Sequence, residues 1–225
     1  MIASSFRLLV MFLAAVFLSA AAPVRDWSAE TRLLPSGAHL TGNPAAPLKL
    51  VEYGSYTCSH CADFAAESRA VLHDRMIKSG KVSVEYRHLI RDRLDLGAAV
   101  MARCGGPRRF DADSFAIFGA QPVWIKRVVD WQDAHPEIAQ QPPVDQLRAL
   151  VGAAGLDTMM KARGLSQARI DACLANRAEI DRIVKMTADA PAEVTSTPFF
   201  FLNGVAQPPL KWAALEAILR AKGAR

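Results

Sequence analysis

The sequence predicts an α/β core interrupted by a helical subdomain, and three observations predict this class. Two segments of strand character, "LKLVEY" at 48–53 and "KVSVEYRHL" at 81–89, flank a segment with helical periodicity. The middle of the chain, from about 93 to 190, carries helical patterns and no convincing strand. The apolar strand "FFFLNGV" at 199–205 and a last helical pattern then complete the core.

The first residues are typical of a secretory signal peptide. Arg7 precedes an apolar run from Leu8 to Leu18, and small residues follow at 19–22. An uncleaved membrane anchor is the alternative, but a bilayer needs about 20 apolar residues, roughly twice the length of this run. We therefore expect removal of residues 1–21 and a single mature domain over residues 22–225, in a compartment where disulfides persist.

The composition argues against two classes of protein: those held together mainly by disulfides and those that bind nucleic acid. A hydrophobic content of 51% can build a core unaided, and four cysteines are too few to hold together a chain of 225 residues by disulfides. The formal charge of +5 is carried by basic residues interleaved with acidic ones. That pattern is typical of a solvated surface, so we expect no nucleic-acid partner.

The elements follow one another in the order of such a core. The turn-rich segment "PSGAHLTGNPAAP" at 35–47 is expected to be a loop that leads into the first strand. A helix from Ser59 to about Ser79 joins the two strands, and a crossover of that length permits parallel pairing. A helical insertion at about 93–177 follows. Asn203-Gly204 then predicts a hairpin, and Trp212 opens the apolar face of the last helix.

The stretch "SYTCSHCADF" places Cys58 and Cys61 in the Cys-x-x-Cys spacing shared by metal sites, structural crosslinks and redox couples. A structural zinc site needs four ligands, and no second pair is visible in the sequence. A c-type haem site needs histidine directly after the second cysteine, where this chain has Ala62. A bridge that closes two residues adds little stability. The pair is therefore interpreted as a redox couple, and no metal or cofactor is expected.

Cys58 is expected to be the nucleophile. It closes a strand-to-helix loop, where the unpaired N–H groups of a helix N-terminus stabilise a thiolate, while Cys61 lies one turn inside the helix. His60 is expected to lower the Cys58 pKa further, as a donor or a positive charge beside the sulfur. Together these features predict a Cys58 pKa between roughly 3.5 and 6. Cys61 would then resolve the mixed disulfide.

Two blocks, "GNPAAPLKLVEYGSYTCSHC" and "VTSTPFFFLNG", resemble the active-site and cis-proline blocks of the DsbA-like thiol-disulfide oxidoreductases of the bacterial periplasm. The resemblance implies a thioredoxin-like fold with an inserted helical subdomain. It implies a cis bond between Thr197 and Pro198, with the Thr197 backbone meeting substrate beside Cys58. Ser59 departs from the family, because the strong oxidants commonly have proline between the cysteines.

The resemblance also bears on three further residues. Glu52 stands in an apolar strand where the family keeps a buried carboxylate that carries protons to and from Cys61; a strand-end glutamate in water is the alternative. Relatives often carry cysteines in similar helices, so Cys104 and Cys173 are expected to form a structural disulfide, with two separate buried thiols as the alternative. Surface or capping roles are expected for four histidines: His39, His73, His88 and His135.

Three functions remain open from the sequence. The first is a periplasmic oxidase that donates the Cys58–Cys61 disulfide to cysteine-containing exported proteins and is reoxidised by a DsbB-like membrane quinone reductase. The second is an isomerase or reductase, and the third a holdase that binds extended peptides beside Pro198 without turnover. A stabilised Cys58 thiolate favours the oxidase and a potential between roughly −190 and −120 mV. No long stalk precedes "GNPAAP", so a monomer is expected.

Overall fold

The structure is a computed structural model that describes residues 25–224. The predicted signal peptide, residues 1–21, lies outside these described residues. No helix in the described part of the chain is both long enough and apolar enough to cross a membrane.

A single mixed sheet organises the fold. Its strands, in chain order, are β1 (Thr31–Leu33), β2 (His39–Gly42), β3 (Leu48–Gly54), β4 (Val82–His88), β5 (Phe199–Leu202) and β6 (Val205–Ala206). The spatial order is β1-β2-β4-β3-β5-β6. Only the β3–β4 pair among these strands is parallel, as the sequence predicts, with Glu52 opposite Tyr86. The hairpin at Asn203-Gly204 is also confirmed, with both residues at positive φ.

Most of the rest of the described chain is helical. The helices are α1 (Ser59–Ser68), α2 (Arg93–Cys104), α3 (Pro107–Gly119), α4 (Gln121–Ala134), α5 (Pro143–Ala154), α6 (Leu156–Ala162), α7 (Gln167–Leu174), α8 (Arg177–Ala188) and α9 (Trp212–Ala221). The helices α2 to α8 are inserted between β4 and β5. Proline stands in the first turn of α3, α4 and α5. The N–H groups of a first turn have no acceptor within the helix, so a proline there costs no helical hydrogen bond.

The predicted loop at 35–47 is wrong in part, because β2 lies inside it. The strand is short and mostly polar, so it shows no hydrophobic alternation. Its buried side chains are His39, which stacks on Phe110 with ring centroids 3.9 Å apart, and Thr41, which hydrogen-bonds the Thr31 hydroxyl at 3.0 Å. Polar side chains that are satisfied only by tertiary contacts give no strand signal in a sequence.

The helix predicted from Ser59 to about Ser79 is present, but its second half is not an α-helix. After α1 the chain continues as a π-helical segment, Arg69–Ile77. The N–H of Lys78 donates to the carbonyl of His73, five residues earlier, at 3.2 Å. π-Helical turns are rare and occur frequently at functional sites, and this one carries His73, whose ring lies beside Asp111 and Phe115 of α3.

Two apolar clusters meet at the sheet. The first packs Phe64 of α1 against Phe200 of β5 and Trp212 of α9, with ring centroids 4.7 and 6.0 Å apart. The second fills the helical insertion and reaches Cys58 and Cys61. The cysteine pair therefore lies where the core of the insertion meets the core of the sheet.

Cys104 at the end of α2 is bonded to Cys173 in α7, across a sequence separation of 69 residues. The Cα atoms are 5.7 Å apart, within the range that disulfides span. This bond joins two helices of the insertion and stands apart from the Cys-x-x-Cys pair, whose two sulfurs are not bonded to each other.

A substitution at Gly54, the last residue of β3, tests how tightly the side chains pack at the sheet. A methyl group there would overlap the Tyr86 hydroxyl and lie 2.8 Å from two atoms of its ring. We expect Gly54→Ala to lower the free energy of unfolding by about 1–3 kcal/mol. The control is Gly152→Ala in α5, where nothing lies within 4 Å and the helix should gain about 0.5–1 kcal/mol. Urea unfolding followed by circular dichroism measures both; equal effects of the two changes would contradict this packing.

Candidate active site

Cys58 is the N-cap residue of α1, and its carbonyl accepts from the N–H groups of Cys61 and Ala62 at 3.2 Å. The side chain of Cys61 therefore lies one turn along the helix, as the sequence predicts. Cys58 is 6% exposed and Cys61 is fully buried. Cys58 is therefore largely covered, and it reaches solvent through a groove.

The insertion holds the loop that carries Cys58. Gln121, the first residue of α4, donates its amide hydrogens to the carbonyls of Tyr56 and Cys58 at 2.7 and 2.9 Å. The carboxylate of Asp95 in α2 accepts from the Tyr56 N–H at 2.7 Å. Both partners are buried, so the loop is fixed from the side of the insertion. Sequence reasoning missed both residues, because they lie about 40 and 65 positions beyond the loop.

The segment before β5 borders the same sulfur. The Thr197–Pro198 bond is cis. The Cys58 thiol donates to the Thr197 carbonyl, with Sγ and O 3.2 Å apart. Two grooves of about 540 Å³ each meet here: one is lined by Cys58, Ser59, Gln121 and Thr197, and the other by Phe64, Pro198 and Trp212. The structure thus brings together four of the predicted site residues: Cys58, Ser59, Thr197 and Pro198.

The two thiols have opposite acidities. The pKa of Cys58 is lowered to about 5, chiefly by a hydrogen bond from the Cys61 thiol and further by the hydrogen bond with Thr197 and by the backbone N–H groups of Cys61 and His60, while burial opposes the shift. That value lies inside the interval the sequence predicts. The pKa of Cys61 is raised above its usual range by the same hydrogen bond, by burial and by Glu52. At neutral pH the reduced pair therefore carries one thiolate, on Cys58, and one thiol, on Cys61.

His60 contributes through its backbone. Its imidazole is 76% exposed and lies 3.9 Å from the Asp63 carboxylate. Among the described residues, the hydrogen bonds that favour the Cys58 thiolate include the His60 N–H and not its ring. The role predicted for the imidazole is therefore corrected, because the second residue of α1 directs its side chain into solvent.

Glu52 is buried in the middle of β3 and is 7% exposed. Burial raises its pKa to about 8, and the negative charge of Asp111 adds to the shift. Its charge is also one of the influences that raise the pKa of Cys61. The alternative of a strand-end glutamate in water does not hold in this structure.

The four histidines divide into two kinds. His39 and His88 are 2% and 0% exposed, so the surface or capping role expected for them is wrong. Burial lowers both of their pKa values, and Arg103 lowers them further. The Nδ1–H of His135 donates to the Trp131 carbonyl, 2.8 Å away, near the end of α4, which fits a capping role. The His73 imidazole is 19% exposed and lies 2.8 Å from the Asp74 carboxylate and 3.6 Å from the Asp111 carboxylate.

No group of three or more His, Cys, Asp or Glu side chains among residues 25–224 is arranged to hold a metal ion.

A family model described as thioredoxin matches residues 35–221. Two curated relatives, from Rickettsia bellii and Rickettsia typhi, carry the name "Putative protein-disulfide oxidoreductase" and are 27% and 29% identical over 167 residues. These alignments cover 73% of this chain and 56% and 54% of the two relatives. The chain thus spans about half the length of the curated relatives it matches.

Two solved structures share the fold. A protein-disulfide isomerase from Novosphingobium aromaticivorans is 33% identical with a TM-score of 0.77, over 83% of this chain and 97% of that one. Wolbachia pipientis alpha-DsbA1 is 22% identical with a TM-score of 0.66, over 84% and 91% of the two chains.

The hydrogen bond from Cys61 predicts how Cys58 titrates. Thiolate absorbance in the ultraviolet should show a midpoint near pH 5 for the reduced wild-type protein. Cys61→Ala removes the largest favourable contact, so we expect the midpoint to rise by about one unit or more. His60→Ala is the matched control, because it keeps the backbone N–H, and it should move the midpoint by less than half as much. A larger effect of His60→Ala than of Cys61→Ala would contradict this account.

Proposed function

The chain belongs to the thioredoxin family, and from that premise we propose that it is a thiol-disulfide oxidoreductase that introduces disulfides into exported proteins through its Cys58–Cys61 couple. One observation carries the proposal: a thiolate-stabilised Cys58 lies at a groove beside the Thr197 carbonyl, with the protonated Cys61 hydrogen-bonded behind it.

The reaction follows from these two acidities. A substrate thiolate attacks Cys58 of the disulfide form, so a bond forms between the two sulfurs while the Cys58–Cys61 bond breaks. Cys61 leaves as a thiolate and takes a proton. The second thiolate of the substrate then attacks the substrate sulfur of the mixed disulfide and releases Cys58. Cys58 is a better leaving group than Cys61 because its pKa is the lower of the two. The substrate is oxidised by two electrons and the enzyme is reduced by two.

The lowered Cys58 pKa supports the oxidising direction. A thiol whose pKa is lowered by folding stabilises the folded protein above the free-thiol pKa near about 8.5, and this stability is lost as the pH falls through about 5. Only the reduced form has this thiol. At neutral pH the reduced form is therefore favoured relative to the disulfide, which makes the disulfide oxidising.

Export and partners extend the proposal. The signal-like first residues and the resemblance to periplasmic oxidoreductases support action in the periplasm on exported proteins that contain cysteines. Reoxidation requires an electron acceptor, and a DsbB-like membrane quinone reductase fits that need. An isomerase acting through the same cysteines is the second candidate, since the Novosphingobium protein is named an isomerase. A holdase without turnover would bind unfolded chains and exchange no disulfides.

The redox potential separates these functions. Equilibrium with glutathione should give a value between roughly −190 and −120 mV, on the scale where thioredoxin lies near −270 mV and DsbA near −120 mV. A value below about −240 mV, with Cys58 titrating above about pH 7, would instead assign the protein to the reductases. Failure of a reduced, cysteine-containing peptide to be oxidised by stoichiometric disulfide-form enzyme would favour the holdase.

The order of attack has its own test. Cys61→Ala should accumulate mixed disulfides with reduced, unfolded exported proteins, because the resolving thiol is gone, and peptide mapping should place every adduct on Cys58. Cys58→Ala is the matched control, and at least about tenfold less adduct is expected because Cys61 is buried and protonated at neutral pH. Capture mainly through Cys61 in the Cys58→Ala protein would reverse the assignment.

A further inference from the structure

The groove that contains Cys58 also borders the helical insertion, where Arg91 and Ile125 line it. A further groove of about 440 Å³ begins at the same place, because Thr57 and Ile125 line both. The start of α2, the helices α4 and α5, and the 3₁₀ helix Pro136–Gln140 form its walls. The two make one continuous depression that leads from the nucleophile over the insertion, here called the insertion groove.

The far part of the insertion groove is apolar, and hydrogen bonds fix its wall. Among its lining residues Leu150 is buried and Val129 is 49% exposed. Gln146, which is 6% exposed, donates its amide hydrogens to the carbonyls of Ala139 and Gln141 at 3.2 and 2.6 Å. A preformed groove with an uncovered valine is suited to receive an apolar side chain of another molecule.

The near part of the insertion groove carries positive charge. Arg91 and Arg93 are exposed, and neither forms an ion pair with a described residue. The Arg91 guanidinium donates to the Thr57 carbonyl at 3.3 Å, so it lies beside the residue that precedes Cys58. The carboxylate of Asp92 accepts from a backbone N–H of α2 at 2.8 Å and from the Thr57 hydroxyl at 3.1 Å. Two guanidinium groups against one engaged carboxylate leave a net positive charge.

The groove beside Pro198 has the opposite balance. Its charged lining residues are Asp63, Glu67 and Lys211, so the acidic ones outnumber the basic one. His60 lines both grooves and does not distinguish them. A chain that passes over the nucleophilic sulfur therefore meets net positive charge at one end and net negative charge at the other.

We propose that the insertion groove is a substrate subsite, which selects an acidic residue close to the reacting cysteine of an exported protein and an apolar side chain further along. The inference rests on the redox function proposed above and adds which substrates it prefers. Arg91 and Arg93 bind the carboxylate, while Ile125 and Val129 cover the apolar side chain. Arg91 contacts the residue next to Cys58, and an extended chain advances about 3.3 Å per residue, so the acid lies about two residues from the substrate cysteine.

The side chain of Arg91 is available to substrate because the acidity of Cys58 has other causes. The pKa of Cys58 is lowered chiefly by hydrogen bonds with Cys61, with Thr197 and with backbone N–H groups, and no guanidinium is among these contacts. The backbone N–H of Arg91 donates to the buried Asp95 carboxylate at 3.0 Å. That contact holds the loop whatever side chain stands at this position, so substitutions there can probe substrate charge.

Charge selection is tested with two-cysteine peptides of equal length. Glutamate stands about two residues before or about two residues after the first cysteine, and the reference peptide has glutamine at both places. Disulfide-form enzyme should oxidise one glutamate peptide about threefold or more faster than the reference at low salt, and about 0.5 M salt should remove most of the gain. The other glutamate peptide should gain nothing, because its carboxylate passes over Asp63 and Glu67. Equal gains for both placements would contradict the subsite.

Variants assign the charge selection to its residue. Arg91→Gln should remove at least about half of the gain, and Arg91→Lys should keep most of it. The gain compares two peptides on one enzyme, so a change in the reactivity of Cys58 cancels. The matched control is Arg32→Gln on β1, an exposed arginine that lines none of these grooves. Equal gains in Arg91→Gln and Arg32→Gln would overturn the assignment; Arg93→Gln replaces Arg91→Gln should that variant fail to fold.

The apolar part has a separate test. Leucine in place of serine, about two residues beyond the favoured glutamate, should speed oxidation by about threefold or more through partial burial. Val129→Gln should remove at least about half of this gain. Val184→Gln in α8 is the matched control, because Val184 is 44% exposed and Val129 49%. The same leucine gain in both variants would remove the apolar part of the subsite.

Binding separates this inference from the proposed redox function. Fluorescently labelled peptides with serine in place of both cysteines can bind without exchanging disulfides, and their anisotropy should show the same preference for glutamate. If no cysteine peptide is oxidised while the serine peptides keep this preference, the redox function fails and the subsite stands. Oxidation of all peptides at equal rates overturns the subsite and leaves the redox function intact. Absence of both oxidation and binding overturns both.

Discussion

The hydrogen bond between the two thiols of the Cys-x-x-Cys pair is the interaction on which the site depends. It lowers the pKa of Cys58 and raises that of Cys61, because the donor must keep its proton for the acceptor to hold its charge. The bond exists because one sulfur lies at the N-cap of α1 and the other one turn inside it. Because of this helix geometry, two cysteines separated by two residues take different roles, one as the nucleophile and the other as the resolving thiol.

The insertion contributes to this geometry and does not merely surround it. Gln121 and Asp95 bind the backbone on either side of Tyr56, and the Tyr56 hydroxyl meets Ser114 of α3 at 2.7 Å. Three helices of the insertion thus fix the loop that leads into α1. A thiolate gains little from a helix N-terminus unless its backbone is held in place, so the insertion maintains the acidity of Cys58 from a distance.

The sequence predicts the parts of this molecule whose signals are local. Strand β3, strand β4 and the β5–β6 hairpin follow from apolar alternation and from Asn203-Gly204, and the Cys-x-x-Cys helix follows from its spacing. Strand β2 could not be predicted because its buried residues are polar. The π-helical turns could not be predicted because they are compatible with the apolar periodicity of an α-helix. Gln121 and Asp95 could not be predicted as members of the site, since only tertiary packing brings them to the loop that carries Cys58.

Burial has opposite consequences for the protonation of Cys58 and of Glu52. At Cys58, hydrogen-bond donors outweigh the cost of desolvation, so the charged form is favoured. At Glu52, no described residue donates a hydrogen bond, so desolvation dominates and the neutral form is favoured. Near pH 7 the reduced site therefore holds one negative charge and keeps a proton on both Cys61 and Glu52. Reduction of the disulfide near pH 7 thus takes up two electrons and a single proton, which Cys61 retains because its buried thiol holds a proton at the pH where Cys58 has already lost its own.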